Sequence, residues 1–328
     1  MTARSTGRAA WIKLAVMRRA LSILSAMACV CGAAFPARAA APTALPGVTV
    51  TAPLLKKIPE TVQTFGAPAT RGRLARWRTE VCPIVLGMSS ERDAYFAQRI
   101  RDVAKLAGAP SAPSRCVPDI VVFITTDPDA MVRRLTERAK VLLNGPSRWP
   151  VQNSQLVRFA GGKGDPVHLF YLSGDGPVLT GGDQTPAVSN ASAAFALSND
   201  LFGPPVYDQG HASRLTPWVD EAFLRVVLVV DARQLLGLDG VQISAYLSLT
   251  TLADVNVGDQ DFPTIANLFS DRAHGRPPAA DLTFWDRAYL GALYKTQSQT
   301  SLSMQQSAMA DRIAHAVQSQ TILPAAGR

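Results

Sequence analysis

Two runs, Ile120–Ile124 (IVVFI) and Val226–Val230 (VVLVV), are apolar at every position. A strand with one face in water alternates apolar and polar residues; a continuous apolar run suits a strand covered on both faces. The chain must therefore supply helices to cover a sheet. Ser89 and Ser90 offer N-caps, with Asp93 as a capping-box partner of Ser90. Phe96, Ile100, Val103 and Ala107 follow at helical spacing, and Gly108 closes that helix. Asp127-Pro128 starts a second helix, with Pro at the first position, where its missing N–H costs nothing. Met131, Leu135, Ala139 and Leu142 form its stripe, and Asn144-Gly145-Pro146 ends it. With Val81–Leu86 as a short strand, residues 81–143 read β-α-β-α.

The later chain is less regular. Leu156–Ala160 and Val167–Leu172 read as a hairpin around Gly161-Gly162-Lys163-Gly164-Asp165. Gly174–Gly182 and Gly203-Pro204-Pro205 fall in long loops. Val241–Val255 carries both periods: Val241, Ile243, Ala245, Leu247 and Leu249 alternate as in a strand, while length, the Asp239 cap and apolar residues on most faces favour a buried helix. Thr283 caps a further helix with Asp286 at its capping-box position and Trp285, Tyr289 and Leu293 on one face. Ser301 or Ser303 opens the last, with Met309, Ile313 and Val317 on one side. Pro42, Pro46, Pro53, Pro59 and Pro68 break residues 40–75, which read as a loosely ordered leader with Val48–Thr51 as its one strand-like piece. Residues 76–328 show no repeat and no linker, and the expected class is a single α+β domain: a small mixed sheet, a β-α-β-α first half and a helical second half.

The N-terminus has its own logic. Arg4, Arg8, Lys13, Arg18 and Arg19 precede the apolar run Ala20–Phe35, which is shorter than the ~20 residues that span a bilayer. Ala37-Arg38-Ala39 is an A-x-A site, so residues 1–39 read as a signal peptide cut after Ala39. A periplasmic or secreted location is expected, and no later run is long enough for a transmembrane segment. Six of the 33 basic residues leave with that segment, so the net charge falls from +8 to 27 basic against 25 acidic, or +2. A nucleic-acid partner has no basis in that balance. Cys29 and Cys31 leave as well; Cys82 and Cys116 remain as an even pair in an oxidising compartment and are expected to bond.

Reactive chemistry is sparse. The four histidines, His168, His211, His274 and His315, are scattered, and no HExxH, G-x-S-x-G or Walker A sequence occurs. No metal site and no cofactor are expected. The densest polar grouping is Tyr207-Asp208-Gln209-Gly210-His211 followed by Asp220-Glu221. Asp208, His211, Asp220 and Glu221 are the candidate catalytic set, because a histidine with nearby carboxylates can move protons; the same residues also suit a solvated loop.

Three stretches carry a resemblance. They are Pro118–Val122 (PDIVV), the strand-loop-helix of Val226–Val255, and Pro263–Phe269 with Leu282–Leu290 and Ala292–Tyr294. Together they resemble a group of uncharacterised secreted alphaproteobacterial proteins that are distantly similar to zincin-like metallopeptidases. The resemblance covers about half of the mature chain. It implies a zincin-like fold whose active-site helix carries two histidines one turn apart with a general-base glutamate between. Here the matching helix reads Gln242-Ile243-Ser244-Ala245-Tyr246-Leu247-Ser248-Leu249-Thr250, without His, Glu or Cys. The resemblance thus implies a pseudoenzyme: an exported domain with a binding or cell-envelope role and a protein or envelope partner. The alternative is a hydrolase with its site around His211.

Overall fold

The computed structural model describes residues 52–66, 72–112, 116–137, 153–162, 164–177, 219–297 and 300–319. Four strands form one mixed sheet: β1 (Pro83–Leu86), β2 (Ile120–Thr125), β3 (Val167–Pro177) and β4 (Val219–Asp231). Their order is β1-β2-β4-β3; β1, β2 and β4 are parallel, and β3 runs antiparallel along the edge of β4. The two apolar runs lie side by side at the centre, with Ile120 opposite Val226 and Ile124 opposite Val230.

Both faces of this sheet are covered, as the runs require. On one face, Ile120, Val122, Ile124, Val226, Leu228 and Val230 join the larger core. That core is built by α2 (Ser90–Ala107), α5 (Gly240–Leu252), α6 (Leu268–Ala273), α7 (Phe284–Lys295) and α8 (Leu302–Ser319). On the other face, Val121, Val227 and Val229 pack under α3 (Pro128–Glu137) and α4 (Asn153–Gly161) through Val132, Leu135 and Phe159. A bulge lies in β4: Leu172 opposes Arg225 and Ser173 opposes Phe223, leaving Leu224 as the extra residue. Among the described residues no helix is long and apolar enough to cross a membrane.

Several expectations change. Residues 40–75 are not simply a leader: Ala52–Phe65 form helix α1, with Ile58, Val62 and Phe65 buried. Those residues recur at helical spacing, and Pro59 lies on the exposed face of that helix. Burial of the stripe outweighs the one hydrogen bond that proline removes. The Val48–Thr51 piece lies outside the described residues. Leu156–Ala160 is not half of a hairpin but part of α4, because Leu156 and Phe159, three apart, face one core. β3 runs on to Pro177, into the expected loop, and β4 starts at Val219, so Asp220 and Glu221 are strand residues. Asp93 is not a capping-box partner of Ser90: the N-cap is Ser89, and Asp93 accepts the Met88 N–H at 3.2 Å. The Ala139 and Leu142 end of the α3 stripe lies outside the described residues.

Other expectations stand. Gly108 closes α2 in the left-handed conformation at φ 88°. Val241–Val255 is a helix through Leu252. Trp285, Tyr289 and Leu293 are buried on one face of α7, and Met309, Ile313 and Val317 on one face of α8.

Cys82 and Cys116 are bonded, with Cα atoms 5.9 Å apart. The bond joins the entry of β1 to the loop that enters β2, closing a loop of 34 residues. Peptide mapping of non-reduced protein will recover these two cysteines in one linked species. A Cys82→Ser, Cys116→Ser variant will lose about 2–4 kcal/mol in urea unfolding, because the open loop regains unfolded-state entropy. Equal stability of variant and parent would contradict this.

Candidate functional site

Of the four candidate catalytic residues, Asp208 and His211 lie outside the described residues, and so does the side chain of Asp220. Glu221 is in the interior at 2% exposure. Its carboxylate accepts the Ser173 hydroxyl at 2.7 Å, and its backbone carbonyl accepts the Arg76 N–H at 3.3 Å. Residue 76 pairs in parallel with Ala222 and so extends the sheet beyond the start of β2. Glu221 thus belongs to the packing of the β4 entry.

Helix α5 follows β4 after a short 3-10 turn, Ala232–Leu235. Asp239 and Gln242 form a reciprocal capping box: the Asp239 carboxylate accepts the Gln242 N–H at 2.8 Å, and the Gln242 carbonyl oxygen accepts the Asp239 N–H at 3.3 Å. Every residue from Ile243 to Leu252 is buried. Each serine and threonine hydroxyl turns back onto the helix: Ser244 donates to Val241 O, Ser248 to Ser244 O, Thr250 to Tyr246 O and Thr251 to Leu247 O, at 2.7–2.9 Å.

The far end of α5 has an unusual termination. A helix leaves its last carbonyls without intrahelical partners, and a buried one must find donors elsewhere. Tyr171 from β3 donates to Thr250 O at 2.7 Å, the Trp77 indole to Thr251 O at 2.8 Å, and Tyr294 from α7 to Leu252 O at 2.7 Å. Three aromatic donors from three parts of the chain thus cap one buried end. Sequence reasoning did not find this, because aromatic residues carry no cap signal. Burial holds the phenols of Tyr171 and Tyr294 well above the usual tyrosine range.

No protein-family profile, curated sequence or solved structure matches this chain. Its chemistry therefore rests on its own geometry. Among the described residues no three His, Cys, Asp or Glu side chains gather closely enough to hold a metal ion.

Two polar clusters lie around the start of α7. The first surrounds Asp286, which is fully buried and accepts the Thr283 N–H at 2.7 Å, the Ile265 N–H at 2.9 Å, the Thr264 hydroxyl at 2.5 Å and the Thr283 hydroxyl at 2.8 Å. Burial pushes this carboxyl up, and the four donors pull it back. The second is Arg99, paired with Asp281 at 2.8 Å beside Arg287. The hollow there is no larger than a water molecule. Both clusters tie elements together and offer no room for a substrate.

Proposed function

We propose that the chain is exported, loses residues 1–39 after Ala39, and acts in the periplasm or medium as a non-enzymatic binding domain of degenerate zincin-like architecture. The observation that supports this reading is α5. It follows the last central strand, β4, after a 3-10 turn, and the resemblance expects a zinc helix in that order of elements. Its serine and threonine hydroxyls are taken by its own carbonyls, and its end is closed by Tyr171, Trp77 and Tyr294. A zinc ion needs at least three N, S or O donors facing open space; this helix presents neutral, committed hydroxyls inside a packed core. Function then resides on the outer surfaces, with a protein or envelope component as the partner.

The test has three arms. N-terminal sequencing of exported protein begins at Ala40. Protein dialysed against chelator retains no stoichiometric zinc. A panel of fluorogenic peptide and ester substrates is not hydrolysed. Turnover that disappears in His211→Ala would overturn the reading in favour of a hydrolase using His211.

A further inference from the structure

The two ends of the Cys82–Cys116 bond stand in unequal surroundings. Cys82 is 4% exposed at the entry of β1. Cys116 is partly exposed, and its neighbour Val117 is 53% exposed, so that end of the bond lies at the surface. We propose that Cys116 is a thiol-exchange site, where a low-molecular-weight thiol forms a mixed disulfide while Cys82 acts as the resolving thiol.

A disulfide serves in exchange only if the fold outlasts its opening. Here hydrogen bonds hold the chain on both sides of Cys116 without help from the sulfurs. Val81 donates its N–H to Pro110 O at 3.1 Å, and its carbonyl accepts the Ala112 N–H at 3.2 Å. The Cys82 carbonyl accepts the Asp119 N–H at 3.1 Å and the Ile120 N–H at 3.3 Å. The Cys82 N–H donates to the Asp119 carboxylate at 2.7 Å. Pro83 then pairs with Ile120 as the β1–β2 ladder begins. The chain that carries Cys116 is therefore tied to the β1 entry at Ala112 on one side and at Asp119 on the other. The bond closes a loop of 34 residues, but opening it releases only the stretch between those two ties. Cys82 stays in place, and Cys116 remains close enough to bond again.

The exchange balances with the thiol as its one co-reactant. The incoming thiolate bonds to the Cys116 sulfur, and the Cys82–Cys116 bond breaks. The electron pair of that bond leaves on the Cys82 sulfur, which takes up the proton that the incoming thiol released. The products are a mixed disulfide at Cys116 and a free Cys82 thiol. Cys82 then attacks the Cys116 sulfur and expels the small thiol, or a second small thiol attacks the mixed disulfide and completes the reduction. Attack at Cys82 is disfavoured, because a thiolate would have to shed its water to enter the interior.

The full exported chain in native buffer tests this. Excess dithiothreitol will open the wild-type bond without denaturant, and the reduced protein will still melt cooperatively. Oxidised glutathione will add to Cys116 in Cys82→Ser at least about tenfold faster than to Cys82 in Cys116→Ser, followed by peptide mass mapping. Should either variant fail to fold, the wild-type reduction decides. A wild-type bond that opens only in denaturant, a reduced protein without a cooperative melt, or addition to Cys82 as fast as to Cys116 would each overturn the exchange site.

Discussion

Trp77→Ala will lower stability by about 4–8 kcal/mol, measured by urea unfolding. Trp77 is 1% exposed and packs on Phe223 at 5.6 Å between ring centroids. Truncating a buried tryptophan costs about 3–5 kcal/mol in lost burial and residual cavity. This one also donates to Thr251 O, and that carbonyl would be left buried at the end of α5 without its donor. An unsatisfied buried group adds about 1–3 kcal/mol. Together these approach the ~5–15 kcal/mol that holds a domain folded. Trp77→Phe separates the two effects: it keeps most of the packing and should lose little more than the capping contribution. A Trp77→Ala protein within about 1 kcal/mol of the parent would show that α5 is not anchored at this end.

Asp286→Ala will cost about 3–5 kcal/mol, because it strands several buried donors at once. The amides of Ile265 and Thr283 and the hydroxyls of Thr264 and Thr283 all point at this carboxyl. The residue therefore does more than cap α7. It pins the 3-10 turn Ile265–Asn267 against the first turn of that helix. Asp286→Asn should recover only part of the loss, since its amide nitrogen is a donor turned toward donors. Thermal melts of the two variants against the parent check the ranking Ala below Asn below wild type. Equal melting of all three would reduce Asp286 to an ordinary surface cap.

The reach of sequence reasoning differs by element, for physical reasons. Ile120–Ile124 and Val226–Val230 announced a doubly covered sheet because no half-exposed strand tolerates such runs. The Thr283 and Asp286 box was readable because capping is local, and so was the Gly108 stop. Helix α1 was obscured by Pro59, a strong local breaker that faces outward and is overruled by the stripe beneath it. The hairpin reading of Leu156–Leu172 failed because a short apolar run fits either period, and only the packing of Phe159 decides. The strand character of Asp220 and Glu221 was hidden by their charges, which sequence patterns assign to water. Of the candidate site, Glu221 was legible as a polar residue near others but not as a buried partner of Ser173, which approaches from another strand. The Tyr171, Trp77 and Tyr294 cap was out of reach for the same reason: its members converge only when the tertiary structure forms.

The pairing of β2 with β4 has a kinetic consequence. Ile120 meets Val226 across a separation of 226 − 120 = 106 positions. Such a contact must overcome the entropy of closing a long loop before it contributes any stability. Parallel strands far apart in sequence raise the contact order and slow assembly. Helix α2, by contrast, forms between strands that the Cys82–Cys116 bond already holds together. The seam between β2 and β4 therefore closes late, and until it does two uncharged, β-prone segments stand uncovered. The runs that make the sheet unmistakable are also the chain's chief aggregation hazard during folding.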